Sequence, residues 1–430
     1  MKRILLLVAL SFSTLIFAQD YTEYITGSTT DVNTNHQPGI CLMGGSSEND
    51  EAMVWFLNKA DGGDVVVLRA SGDDGYNNYF YSELGVTLNS VTTLVINNTD
   101  GATDPYVLQK VANAEAIWVA GGDQWDYVSY FKDNAMETTL NEYINIKHGV
   151  IGGTSAGMAI MGSTYFTAQY GTLESNVALS NPYHPRVALG YNDFLELPFM
   201  QNLITDTHFT DRDRQGRISV FLARFIQDNG PRSFGIACND YTAVCVEPDG
   251  KAFVYGEYPD YPEYAYFLQA NCVTEYAPEV VVAGTPVTWN RNGEAIKVYK
   301  VPGTYGGPNY FDLSDWETGT GGSWENWFIE NGTLSMEAGE NPNCGQLAIT
   351  NNDTDLIGVY PNPFTDELFI ESKLPLKDVG LFDVLGCEIK VEVQDNFKIE
   401  TTTLSAGTYI LKIQTEKSQQ TFKLIKNSLN

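Results

Sequence analysis

The pentapeptide GTSAG at residues 153–157 is the most specific chemical signal in this sequence. An apolar, strand-like run precedes it and helical residues follow it. This order is typical of a nucleophile elbow, a tight strand-to-helix turn that exposes a serine hydroxyl. The glycines let the strand and the helix pass close together. Ser155 is therefore predicted to be a nucleophile, and the backbone amide of Ala156 is predicted to face a developing oxyanion.

A nucleophilic serine needs a base, which is usually a histidine. The chain has four histidines: His36, His148, His184 and His208. His148 opens the strand that leads to Ser155, so at about 3.3 Å per residue it lies roughly 20 Å from the nucleophile. His36 lies in a polar arm and His184 in a proline-bounded turn. His208 follows an apolar stretch, as a residue at a strand end would, and it is predicted to be the base.

A carboxylate should orient the imidazole of the base. Four acidic residues are considered between the serine and the histidine: Glu174, Asp193, Glu196 and Asp206. The chemistry of these residues does not choose among them.

Three arginines, Arg212, Arg214 and Arg217, follow the predicted base within nine residues. They stand out because residues 19–350 carry only 15 Lys and Arg against 42 Asp and Glu. The planar fork of arginine suits bidentate recognition of a carboxylate, so this cluster indicates a substrate pocket. The alternative is that the arginines form salt bridges at the start of a helix.

The elements that must position these residues alternate between apolar strands and helices. Strand-like runs are predicted at 38–43, 64–69, 91–96, 116–120 and 149–152, and each ends in glycines or small polar residues. This alternation predicts an α/β fold, a parallel sheet between two layers of helices. Functional groups of such a fold gather at the carboxyl ends of the strands.

Composition excludes several classes of protein. The chain has 430 residues, a net charge of −29 and 43% hydrophobic residues. This composition is typical of a globular protein, and its acidity disfavours nucleic acid as a partner. The six cysteines form no CxxC pair, so no metal and no cofactor are expected. Cys41 lies in a predicted core strand and is expected to be a buried thiol.

The two ends of the chain differ from its middle. Residues 1–18 have two basic residues, a short apolar run and a small residue at the end, which predicts a signal peptide rather than a membrane span. From residue 351 onward, alternating apolar residues predict the short strands of a small β-sandwich. No other run is long enough to cross a membrane, so no transmembrane segment is expected.

Three motifs resemble the cyanophycinase and aspartyl dipeptidase family of serine peptidases. They are GGDQ at 121–124, GGTSAG at 152–157 and DTHFTDRDRQGR at 206–217, and the resemblance spans roughly residues 38–300. It implies the three-layer, flavodoxin-like scaffold of class I glutamine amidotransferases. Thr207 departs from the family, in which glutamine commonly precedes the histidine, and the aromatic stretch at 309–331 has no counterpart. Both departures leave the substrate open.

The resemblance also implies roles for particular residues. It makes Ser155 the nucleophile and His208 the base, and it points to Glu174, 19 residues after the serine, as the third member of the triad. The amides near Gly122 and Ala156 would form the oxyanion hole. Gln124 and the three arginines would contact substrate.

The C-terminal segment resembles the type A sorting domain of the type IX secretion system. The resemblance rests on YPNPF, LFDVLG and LSAGTYILKI and covers about 70–80 residues. It implies recognition by the export machinery and usual removal at the outer membrane, so the protein is expected to be secreted or held at the cell surface.

The resulting scheme has four segments: a signal peptide (1–18), a peptidase domain (19–305), an acidic aromatic insert or linker (306–350) and a sorting domain (351–430). The predicted function is that of a secreted exopeptidase that cleaves β-Asp-Arg links of cyanophycin or related aspartyl peptides. There are two alternatives: a catalytically inactive peptidase homologue that acts as a secreted binding protein, or an esterase. The oligomeric state, including a homodimer, stays open.

Overall fold

A computed structural model describes residues 20–427, except 273–274, 343, 345–356, 363, 373–374, 384–387, 392–397 and 416–418. The predicted signal peptide lies outside the described residues. The chain divides into two compact units, Met1–Gly345 and Gln346–Asn430.

The first unit contains most of the secondary structure. Its strands are β1 (Tyr21–Gly27), β2 (Gly39–Met43), β3 (Asp64–Arg69), β4 (Ser90–Ile96), β5 (Ala116–Val119), β6 (Val150–Thr154), β7 (Thr164–Phe166), β8 (Leu189–Tyr191), β9 (Leu203–Asp206), β10 (Phe234–Cys238), β11 (Ala243–Val246), β12 (Lys251–Tyr258), β13 (Tyr264–Ala270), β14 (Ile296–Pro302), β15 (Tyr310–Asp312), β16 (Gly319–Thr320), β17 (Ser323–Glu330) and β18 (Thr333–Ala338). Its α-helices are α1 (Asp50–Asn58), α2 (Gly75–Asn78), α3 (Thr99–Ala102), α4 (Pro105–Asn113), α5 (Gln124–Phe131), α6 (Ala135–Glu142), α7 (Ala156–Ala159), α8 (Ser175–Ser180) and α9 (Gln215–Asn229).

The first sheet has the strand order β1-β4-β3-β5-β6-β2-β11-β12-β15-β16. Its five strands from β4 to β2 are parallel, and the strands on either side of them are antiparallel. Successive residues of β2 alternate between two cores, with Leu42 in one and Cys41 in the other. Since side chains of a strand alternate between faces, the sheet is covered on both sides. The α/β class predicted from the sequence is confirmed.

The second sheet has the strand order β18-β17-β14-β13-β10-β9-β7-β8. Its neighbours β9 and β10 run parallel, with Asp206 opposite Ala237. Helix α9 packs its apolar side against this sheet, and Phe221 and Ile218 are buried in the same cluster as Leu268. The carboxyl ends of β9 and β10 therefore lie side by side.

The acidic aromatic segment belongs to both sheets. Strands β15 and β16 extend the first sheet, and β17 and β18 extend the second. Phe311 and Trp324 lie in one aromatic group with Tyr299, so the aromatic residues of this segment serve the core. A disulfide joins Cys272 to Cys344. Cys41 is a buried thiol, as predicted.

The second unit consists of seven described strands: β19 (Ile357–Tyr360), β20 (Glu367–Ser372), β21 (Leu376–Asp383), β22 (Glu388–Ile389), β23 (Lys398–Glu400), β24 (Gly407–Thr415) and β25 (Gln419–Lys426). They form a three-stranded and a four-stranded antiparallel sheet. Leu368 of the smaller sheet and Leu411 of the larger one are buried in the same hydrophobic cluster. This shared core stabilises the unit.

Candidate active site

Ser155 lies in the strained turn that the sequence predicts. It follows β6 directly and has φ 51° and ψ −111°, a conformation that is uncommon for a residue other than glycine. A Cβ on Gly157 would come within 2.0 Å of the Val119 carbonyl oxygen, so glycine is required there. The Ser155 amide donates to the carbonyl of Met43 at 3.1 Å. The turn is thus fixed against the end of β2, with the serine at the carboxyl edge of the sheet.

His208 comes from the second sheet and meets the serine. It lies two residues beyond β9, and its Nε2 is 2.8 Å from Ser155 Oγ. Its amide donates to the carbonyl of Gly44 at 3.0 Å. A Cβ on Gly45 would fall 2.3 Å from the imidazole, so this glycine leaves the space that the ring occupies. The structure thus brings Ser155 and His208 together, and their roles as nucleophile and base stay predictions.

Asp240 holds the other nitrogen of the imidazole. Its Oδ1 lies 2.5 Å from His208 Nδ1. Ser46 Oγ donates to Asp240 Oδ2 at 3.0 Å, and the Asp240 amide donates to Asp211 Oδ2 at 3.2 Å. Asp240 follows β10 as His208 follows β9, so the parallel pairing of these strands brings the two residues together. Ser155, His208 and Asp240 form a continuous hydrogen-bonded line, the arrangement of a catalytic triad.

Glu174, the acid implied by the family resemblance, does not contact His208 in this structure. It is exposed and precedes α8, and the carboxylate on the imidazole is that of Asp240. Asp206 is also committed elsewhere, because it pairs with Arg217. Asp240 follows the histidine in the chain and lies outside the stretch from serine to histidine that holds the four acids considered from the sequence.

The environment of His208 suits a general base. Burial lowers the pKa of His208 below its usual 6.5, and the positive charge of Arg212 lowers it further, while Asp240 acts in the opposite direction. The imidazole is therefore neutral near pH 7. With Nδ1–H donated to Asp240, Nε2 is free to accept the serine proton.

The predicted oxyanion donors lie next to the serine. Gly122 follows β5, has φ +149° and has open space around its α-carbon. A Cβ on the preceding Gly121 would lie 3.6 Å from Ser155 Cβ, which shows how closely this loop approaches the nucleophile. Ala156 begins α7 directly after Ser155. Gln124 begins α5 and donates from Nε2 to the carbonyl of Phe166 at 3.2 Å. Its contact with substrate stays a prediction.

The three arginines have different environments. Arg217 is only 3% exposed, and its Nε lies 2.8 Å from Asp206 Oδ2. Arg214 donates to the carbonyl of Thr207 at 2.7 Å, and burial lowers its pKa to about 10. The structure thus commits Arg217 to a buried ion pair rather than to a substrate, and it gives Arg214 a backbone partner. Arg212 is exposed beside the triad and is the one of the three whose charge faces solvent.

The site residues predicted from the sequence did not include Ser46, Glu48 or Asp240. Glu48 is half-buried and accepts from the hydroxyl of Tyr76, and burial raises its pKa. A signal for the loop was present, since two glycines stand between the end of β2 and Ser46. Glycines at a strand end indicate close backbone approach.

Among the described residues, no group of three His, Cys, Asp or Glu side chains is arranged to hold a metal ion. In the same part of the chain, no helix has the length and apolar character needed to span a membrane.

Comparison with protein families confirms the two resemblances seen in the sequence. Residues 47–253 match Peptidase family S51, and residues 358–427 match the Secretion system C-terminal sorting domain. The protein therefore contains a peptidase domain, a hydrolase, followed by a sorting domain. This sorting domain directs it through type IX secretion to the cell surface or the medium.

Curated relatives are distant. A cyanophycinase from Synechococcus elongatus is 21% identical over 236 residues, which cover 53% of this chain and 68% of that protein. A cyanophycinase from Geminocystis herdmanii (strain PCC 6308) is 24% identical over 229 residues, which cover 51% of this chain and 77% of that protein.

Solved structures match weakly. A peptidase from an acI-B1 Actinobacterium is 15% identical with a TM-score of 0.37, over 51% of this chain and 88% of that one. A putative peptidase E protein from Listeria monocytogenes EGD-e is 14% identical with a TM-score of 0.34, over 51% of this chain and 98% of that one.

Proposed function

We propose that this protein is a secreted serine peptidase whose catalytic triad is Ser155, His208 and Asp240. The observation that carries the proposal is the unbroken line from Ser155 Oγ through both imidazole nitrogens to the Asp240 carboxylate, with distances of 2.8 and 2.5 Å. A strained nucleophile, a base within hydrogen-bonding distance and a carboxylate behind it are the parts that acyl transfer needs.

Each residue has a defined role in the proposed reaction. His208 Nε2 takes the proton of Ser155 Oγ as that oxygen attacks the carbonyl carbon of the scissile bond. The amides of Gly122 and Ala156 donate to the oxygen that becomes negative. Protonated His208 then gives its proton to the leaving amine, and an acyl-enzyme remains on Ser155. Water activated by the same histidine hydrolyses the acyl-enzyme and frees the serine. Asp240 holds the ring and stabilises its positive charge.

We propose aspartyl peptides as the substrate class, cleaved by exopeptidase action, with β-Asp-Arg links as in cyanophycin as the first candidate. The support comes from the family match over residues 47–253 and from the cyanophycinases among the relatives. Arg212 is proposed to bind a substrate carboxylate, because its guanidinium is exposed beside the triad and suits such a partner. The scaffold is proposed to be of the class I glutamine amidotransferase type, and the C-terminal unit a β-sandwich.

To test this, the purified full-length protein is incubated with three substrates: cyanophycin, a β-Asp-Arg dipeptide and α-Asp dipeptides. The products are identified by mass. We expect turnover of at least one of them and a loss of about 10⁴-fold or more in Ser155→Ala. Ser163→Ala serves as the matched control, because it removes a serine hydroxyl eight residues after Ser155. Turnover that survives Ser155→Ala, or a wild type that acts on short esters and on none of the peptides, would contradict the proposal.

A further inference from the structure

Four exposed tyrosines lie together next to the triad. Tyr241 follows Asp240 directly, Tyr258 ends β12, Tyr261 lies in the turn between β12 and β13, and Tyr305 follows β14. Their exposed fractions are 42%, 37%, 55% and 49%. We call this surface the tyrosine ridge. Large aromatic side chains that cluster in solvent commonly mark a binding surface, whereas single exposed ones need no explanation.

Contacts join the ridge into one surface. The rings of Tyr241 and Tyr261 have centroids 5.9 Å apart, and the Tyr305 hydroxyl donates to Asp260 at 3.2 Å. Tyr258 bridges to Thr304, the residue before Tyr305. The Tyr241 amide donates to the carbonyl of Gly45, the residue against which the catalytic imidazole packs. The ridge is therefore anchored to the same loop that supports His208.

The ridge stands in a strongly negative part of the sequence. Between residues 239 and 290 the sequence has one basic residue, Lys251, and between 301 and 350 it has none. The three cations between these ranges, Arg291, Lys297 and Lys300, each pair with a glutamate. Lys251 pairs with Asp249 at 2.6 Å. Carboxylates border the ridge: Asp260 contacts Tyr305, Glu263 accepts from Asn239, and Glu51 accepts from the amide of Gly306. The ridge is thus a surface of aromatic faces surrounded by acceptors.

The exposed aromatic faces and the carboxylates around them favour one kind of ligand. The face of an aromatic ring attracts cations, and a guanidinium stacks on such a face while it pairs with carboxylates. We infer that the tyrosine ridge binds arginine side chains of a cationic polypeptide and holds that chain beside Ser155. This inference rests on the proposed peptidase function, since the bound chain would be the substrate. Three of the four tyrosines lie beyond residues 47–253, so this surface is largely outside the segment that matches the peptidase family.

The experiment measures binding without catalysis. Full-length Ser155→Ala protein is titrated into a fluorescent decapeptide of alternating arginine and glycine, and anisotropy is followed at low salt. The double variant Tyr261→Ala/Tyr305→Ala in the same background is expected to bind about tenfold or more weakly, as two cation–π contacts would require. Tyr106→Ala is the matched control, since Tyr106 is 39% exposed on α4. It is expected to leave the affinity unchanged.

Two further measurements keep the outcome clear. Equal thermal unfolding of all variants shows that lost binding is not lost folding, and Tyr261→Phe/Tyr305→Phe is expected to keep most of the affinity because the ring faces remain. A lysine decapeptide is expected to bind more weakly than the arginine one.

Equal affinity of the double alanine variant and its parent would overturn the inference. If the ridge binds arginine peptide and the wild type hydrolyses nothing, the proposed function fails and the ridge stands. If the wild type hydrolyses peptides and the ridge variants bind normally, the ridge fails alone.

Discussion

Asp206 and Asp240 occupy comparable places and have different partners. Each lies at or just beyond the end of a parallel strand, β9 for Asp206 and β10 for Asp240. Asp206 is buried against Arg217, a permanent cation. Asp240 is paired with His208, which can gain and lose a proton in the physiological range. A carboxylate on a permanent cation holds the structure, whereas a carboxylate on a titratable ring can assist catalysis.

Breaking the Asp206–Arg217 pair should cost the most stability of the changes considered. Arg217→Met removes the two charged hydrogen bonds that Asp206 accepts from Arg217. The buried carboxylate keeps the Thr207 amide and the more distant Arg214, 3.6 Å away, so the free energy of unfolding should fall by about 3 kcal/mol. Chemical denaturation of the full-length chain measures this. Arg186→Met, at an exposed arginine, is the control and should change little. If Arg217→Met keeps its stability and loses only substrate affinity, Arg217 is a substrate ligand and the assignment made here is wrong.

The second change removes a hydrogen bond that Asp240 accepts on the side away from His208. Ser46→Ala removes the hydroxyl that donates to Asp240 Oδ2, so kcat should fall about tenfold, the worth of a hydrogen bond to a charged group, while KM stays the same. Steady-state kinetics measure both constants. The exposed neighbour Ser47 provides the control, because Ser47→Ala removes an equal group and should have no effect. A rise in KM with unchanged kcat would place Ser46 in substrate binding instead.

The smallest expected effect concerns the pH profile. The base must be neutral, so kcat/KM should fall as pH drops through the pKa of His208, which lies below 6.5 because burial lowers it. Arg212→Gln removes a positive charge that opposes protonation of the ring, so the pKa should rise and the acid limb should move to higher pH by roughly a few tenths of a unit at low salt. Arg186→Gln should leave the limb in place. A shift to lower pH would contradict the electrostatics described for His208.

The sequence pointed to both members of the Ser155–His208 contact because their signals are local or few. The elbow is a five-residue pattern, and four histidines allowed elimination. Asp240 could not be found in this way, because its position depends on the parallel pairing of β9 with β10 and on contacts across 32 residues. Its own signal was modest: it follows the apolar strand FGIAC, as His208 follows β9.

The fold was predictable where strands are buried on both faces. The run DVVVLR of β3 is nearly continuous apolar sequence, as central parallel strands are. The segment at 309–331 was harder, since its aromatic residues have no single period and fill a core shared with Tyr299. Its place on two sheets depends on pairing with β12 and β14, which no local pattern specifies.

The most direct test of the central claim compares two acids. Asp240→Asn and Glu174→Gln each replace one carboxylate by an amide of the same shape, and kcat/KM is measured for both against the wild type on whichever aspartyl substrate is turned over. Asp240→Asn should lose about 10⁴-fold in kcat/KM, because the imidazole loses the carboxylate that fixes its tautomer. Glu174→Gln should stay within about twofold, since its side chain is exposed. A large loss in Glu174→Gln with an active Asp240→Asn would contradict the triad.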